Sequence, residues 1–178
     1  MKGDIIFISG VCGVGKTSII PFLKKGLKGK KYDIHDFDER GVPEGAGREW
    51  RIKESLYWAT LGKQNIEQNI FTIICGFSRP SELLSLLGSK KTTLILLDIK
   101  PKILKERLSG RYQTKESVVR LKAVTGKGVE KFIEDNINFS SILRDECKKF
   151  RCEIIDTSEL AVKDVAQKVI DVVGKNIE

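Results

Sequence analysis

At 178 residues the chain suits one domain, long enough to bury about 70% of the surface that its unfolded form exposes. Forty per cent apolar and 31% charged residues is an ordinary soluble composition, and no stretch approaches the ~18 apolar residues of a membrane span. A net charge of +8 favours anionic partners, while four cysteines with no CxxC pair and a single histidine argue against a zinc site.

The chain opens on a polar start followed by Ile5-Ile6-Phe7-Ile8, and Ser9-Gly10 then interrupts the run. That is too short for the apolar core of a signal peptide, so the expected location is the cytoplasm. The pattern predicts strands over 4–9, 32–37, 70–75, 92–98 and 152–156. Helices are expected over 16–27, 47–62, 80–87, 101–109, from about 114 to 149, and over 161–173. Such alternation implies an α/β domain: a five-stranded parallel sheet with helices on both faces, its strands rich in Ile, Leu, Val and Phe. Pro21 falls inside the first helix, where a tightened or bent turn is expected and not a break. The basic run from Lys24 to Lys31 lacks interleaved aromatics and reads as a solvated helix end. The cysteines, Cys12, Cys75, Cys147 and Cys152, read as buried or incidental thiols.

In a sheet of this kind ligands sit beyond the carboxyl ends of the strands, so the residues there carry the functional argument. After the first strand, Gly10, Gly15, Lys16 and Thr17 fill the pattern G-x-x-x-x-G-K-[ST] between a strand and a helix. Glycines let successive N–H groups converge on a phosphate, and the helix adds the positive end of its dipole. Lys16 supplies a point charge and the Thr17 hydroxyl suits Mg²⁺. The whole stretch Gly10-Val11-Cys12-Gly13-Val14-Gly15-Lys16-Thr17-Ser18 resembles a nucleotide-binding P-loop.

After the second strand, Asp36 and Asp38 are two apart, so in extended chain both point to one side. Near a P-loop two such carboxylates can share magnesium and accept a proton; His35 faces the other way and reads as structural. Arg79, after the third strand, would meet an anionic group on an acceptor. Arg107 and Arg111 share a helix end and can project together, one stacking on an adenine and the other forking onto phosphate. Arg40, with Arg48 and Arg51 on an acceptor-side helix within about 39–64, completes the candidate acceptor contacts.

Assembled, these stretches resemble the P-loop kinases of the adenylate, shikimate and gluconate kinase group over nearly the whole chain. The resemblance implies one domain over 1–178, a three-layer P-loop NTPase fold, and a short lid at about 107–128. Asp36-Phe37-Asp38 is similar to the D-x-D of shikimate and gluconate kinases, which implies magnesium on Asp36 and a base at Asp38. Arg107-x-x-Gly110-Arg111 is similar to the R-x-x-G-R that opens the adenylate kinase lid. Asp156-Thr157-Ser158 looks like the adenine-side loop of the same enzymes, which places Thr157 at the nucleotide. Adenylate kinases read D-G-F-P-R where this chain has Cys75-Gly76-Phe77-Ser78-Arg79. A thiol is a poor magnesium ligand, so metal holding passes to Thr17 and Asp36.

The leading expectation is an ATP- and Mg²⁺-dependent phosphotransferase, with Lys16, Asp38, Arg107 and Arg111 as its catalytic residues. Its acceptor is a hydroxyl or phosphate on a small molecule, and the protein acts as a monomer or homodimer with no membrane partner. Two alternatives stay open: a polynucleotide 5′-hydroxyl kinase, which would use the basic surface, and a nucleotide-dependent switch or ATPase module. Against the latter, the chain has no [NT]-K-x-D guanine signature.

Overall fold

In the computed structural model residues 4–27, 31–87 and 92–175 are described; Lys28, Gly29 and Lys30 of the basic run lie outside them. Five parallel strands run β1 (Ile5–Ser9), β2 (Tyr32–Asp36), β3 (Phe71–Cys75), β4 (Thr92–Asp98) and β5 (Glu153–Asp156), in the order β2-β3-β1-β4-β5. The helices among the described residues are α1 (Lys16–Gly26), α2 (Arg48–Glu67), α3 (Pro80–Leu87), α4 (Pro101–Arg111), α5 (Lys115–Thr125), α6 (Val129–Lys149) and α7 (Val162–Lys175).

β1 is the middle strand, and every one of its side chains is buried. The two-residue period of a strand divides them between two cores. Ile5 and Phe7 face Trp58 of α2 and Leu83 of α3. Ile6 and Ile8 face the other way, in a core with Leu23 of α1, Leu104 of α4, Leu143 of α6 and Val169 of α7. Each aliphatic side chain so removed from water contributes about 1.5–3 kcal/mol.

The edge strands depart from the expected apolar pattern. In β2 only Ile34 is buried, and in β5 only Ile155. An edge strand packs less of its surface, so polar side chains are tolerated there. α2 runs to Glu67, past the end expected at residue 62. Gly62 sits inside the helix, where an added Cβ would come within 2.7 Å of Ile5. Asn65 carries the helix onward: its amide donates to Asp33 Oδ2 and to Thr72 Oγ1, each at 2.9 Å, tying α2 to β2 and β3. The stretch expected as helices over 114–149 divides at Gly126, which has φ +69° as the cap of α5. Pro21 leaves α1 unbroken.

No helix among the described residues is long and apolar enough to cross a membrane.

Candidate active site

The carboxyl ends of β1, β2 and β3 open into a cavity of about 1120 Å³. Its floor is the turn from Gly10 to Gly15. Gly13 (φ +88°) and Gly15 (φ +102°) take left-handed backbone angles, and the space where a Gly15 Cβ would point is open. A backbone bare of side chains in this way can close around phosphate oxygens. Val11 and Val14 turn their side chains into the core, so these two can offer only main chain to a ligand. Lys16 begins α1, and its ammonium donates to the Val11 carbonyl at 2.8 Å. Burial pushes its pKa below the ordinary lysine value.

Lys16, Thr17, Ser18, Asp36 and Asp38 line this one cavity. The Thr17 hydroxyl donates to Asp36 Oδ2 at 2.6 Å, joining the head of α1 to the end of β2. The chain then turns, and the second Asp36 oxygen accepts from the Asp38 N–H at 2.9 Å. This turn, and not an extended backbone, brings both carboxylates to the same crevice. Burial raises the Asp38 pKa, and the neighbouring Asp36 charge raises it further against the pull of Lys16. His35 points away from the crevice. Its imidazole sits 2.7 Å from Asp33 and 2.5 Å from Glu39, against the Trp58 ring at 4.8 Å between centroids.

Cys75, at the end of β3, lies in the floor beside Asp36, and burial pushes its thiol up to about 12. It stays protonated at physiological pH and is no ligand for a hard cation. A hydroxyl and a carboxylate held together, Thr17 with Asp36, are the oxygen donors that magnesium takes beside nucleotide phosphates. No cluster of three or more His, Cys, Asp or Glu able to hold a metal occurs among the described residues.

The arginines divide. Arg111 lines the crevice, its Nη1 at 3.3 Å from Cys12 Sγ. Arg107 reaches backwards and donates to the carbonyls of Gly13 (3.4 Å) and Thr157 (2.9 Å). It braces the glycine turn against the loop after β5, and Thr157 itself is buried. Arg40, Arg48, Arg51 and Arg79 do not line the cavity. Arg40 meets Glu54 and stacks over Tyr57; Arg48 and Arg51 share Glu82; Arg79 meets Glu146.

Other contributors come from helices that a sequence pattern locates but cannot orient. The outer wall of the crevice is α5, with Glu116, Ser117, Arg120 and Leu121 turned to it. Their i, i+4 spacing is visible in sequence, but the face they form is not. Asn136 of α6 accepts from the Cys12 N–H at 3.0 Å and so holds the glycine turn from outside. Two further α6 contacts reach the end of β4 and the start of α3: Arg144 forks onto Asp98 (2.6 and 2.9 Å), and Glu146 accepts from the Ser81 N–H and hydroxyl.

No family model matches the chain, and no curated protein matches it either. Among solved structures, shikimate kinase from Acinetobacter baumannii in complex with shikimate is similar at a TM-score of 0.58 and 16% identity, over 98% of this chain and 94% of that one. Shikimate kinase from Bacteroides thetaiotaomicron gives 0.61 and 19%, over 96% and 98%. Thymidylate kinase from Candida albicans gives 0.64 and 14%, over 98% and 92%. The chain therefore has the α/β fold of the P-loop kinases, with its five-stranded all-parallel sheet.

Proposed function

We propose that the protein is an ATP-dependent, magnesium-requiring phosphotransferase that moves the γ-phosphoryl group to a hydroxyl of a small molecule. The observation that carries this reading is the 2.6 Å contact between Thr17 and Asp36, with Asp38 and Lys16 in the same cavity. The candidates for cation site, phosphate cradle and base thus share one crevice. Phosphoryl transfer asks for that combination, since it depends on positioning and charge neutralisation more than on covalent chemistry.

In this reading the backbone from Gly10 to Gly15, with Lys16, holds the triphosphate. Thr17 and Asp36 would hold magnesium, which when bound would supply charge neutralisation for the triphosphate. Asp38 takes the proton of the attacking hydroxyl, helped by a pKa that burial has already raised. Arg111 faces the transferred group from the end of α4. Arg107, joined to Gly13 and Thr157, borders the side where the adenine would lie. α5 acts as the lid that keeps water from the reaction.

The test is ADP release in the presence of Mg²⁺, measured against sugars, sugar acids, nucleosides, nucleotides, antibiotics and 5′-hydroxyl oligonucleotides. Acceptor-dependent release that Lys16→Ala abolishes is the expected result. Release that needs no acceptor would favour an ATPase module, and labelling of oligonucleotide ends alone would favour the polynucleotide kinase.

A further inference from the structure

Every acceptor-side arginine named from the sequence is held by a carboxylate of the chain itself. Glu82, its side chain only 13% exposed, takes Arg48 Nε at 3.0 Å and Arg51 at 3.3–3.4 Å. Glu146, 14% exposed, takes both Nε and Nη2 of Arg79 and is further fixed by Ser81. Glu54, 10% exposed, takes Arg40 at 3.3 Å. These carboxylates sit too deep to be set aside at low cost. Pulling Arg40 or Arg79 away would leave its partner's charge buried and uncompensated, while Glu82 holds Arg48 and Arg51 together. Burial alone would raise the Glu146 pKa, but the hydrogen bonds from Arg79 and Ser81 hold it below the ordinary range, so it remains ionised.

These arginines stand close enough to matter. Arg51 lies 5.2 Å from the ring of Phe77, which lines the crevice, and Arg79 follows two residues later. A chain built to grip a phosphate or carboxylate on the acceptor would leave such a fork open to it. Beyond Lys16, Arg111 and Asp36, which the phosphotransferase reading gives to the nucleotide and its magnesium, the crevice is lined by Asp38 and Glu116, by the apolar Val42, Phe77 and Leu121, and by Arg120 as its one further cation among the described residues. An added anion would meet two carboxylates there and one exposed arginine.

We infer that the acceptor is a hydroxyl compound bearing no phosphate or carboxylate, either uncharged or carrying an amine. The inference rests on the phosphotransferase reading and narrows its acceptor. Hydroxyl groups and ammonium groups both donate hydrogen bonds to Asp38 and Glu116, and an apolar ring face packs on Phe77 and Leu121. Anionic relatives of the acceptor are disfavoured because the arginines that would receive them are already engaged, Arg40 by Glu54, Arg79 by Glu146, and Arg48 with Arg51 by Glu82.

Matched pairs test this in the ADP-release assay: nucleoside against nucleoside monophosphate, sugar against sugar phosphate and sugar acid, amino sugar against its N-acetyl form. The uncharged or amine-bearing member should be used at least about tenfold better in kcat/KM. The amino sugar pair then separates the neutral source from the cationic one. In Glu82→Gln and Glu146→Gln, with folding checked by circular dichroism, the preference should narrow at least about threefold, because freed arginines would accept the anion. Lys16-dependent release with anionic members preferred would overturn the inference and leave the phosphotransferase reading standing. So would folded Glu→Gln variants whose preference does not move. No Lys16-dependent release with any member would overturn both.

Discussion

Asp38 has two neighbours of opposite effect, the Asp36 carboxylate and the Lys16 ammonium, and it is burial that decides the balance. Its pKa stands above the usual aspartate value, so the acid limb of kcat/KM against pH should lie higher than for an ordinary aspartate. Asp38→Asn should lose that limb and about 10²–10⁴ in rate, with ATP affinity by titration unchanged. Cys75 makes the opposite case. With its thiol pushed up to about 12, it neither titrates nor ligates near neutral pH, and Cys75→Ser should leave Mg²⁺-dependent turnover within about twofold. Beside it, Gly76 is fixed by space: a Cβ there would stand 2.0 Å from the Phe37 Cβ. Gly76→Ala should destabilise the fold by about 1–3 kcal/mol in urea denaturation. The glycine pattern and the twin aspartates are legible in the sequence. The turn that orients them, and the glutamates that occupy four of the arginines, are not, because pairs such as Arg51 with Glu82 join residues far apart in the chain.

At the scale of elements, β2 and α2 are joined through His35, which contacts Asp33, Glu39 and Trp58. Burial of the ring works against its charge, but the two carboxylates outweigh it and raise the pKa above the ordinary 6.5. Below 6.5 the ring is charged folded and unfolded alike, so the contribution is complete there. As pH rises from 6.5 through the raised value it is lost. The urea midpoint should therefore fall over that window, and in His35→Gln the fall should be absent. α5 has its own start signal: Thr114 accepts from the Ser117 N–H at its N-terminus. Thr114→Ala should loosen α5 by about 0.5–2 kcal/mol, read as faster amide exchange over Lys115–Thr125. Local signals of this sort are readable in sequence. The extra length of α2 is not, because the bonds of Asn65 to Asp33 and Thr72 that support it come from other elements.

Across the whole molecule, the alternation of strand and helix was enough to expect a parallel five-stranded sheet. The strand order required the chain itself, since β4 returns to the far side of β1 and nothing local states it. Net charge is a whole-molecule property as well. At +8 the protein should attract a nucleotide triphosphate, and the association rate of a fluorescent ATP analogue should drop as salt shortens the Debye length from about 30 to about 8 Å. A flat rate across that range would show that the excess charge lies away from the crevice. One arrangement bears on how such a molecule could be re-engineered. α6 fastens the glycine turn, the end of β4 and the start of α3 from the rear, whereas α5 meets the crevice only from its open side. The back wall is thus anchored independently of the front, and exchanging the exposed face of α5 offers a way to respecify the proposed guest while the glycine turn is left intact.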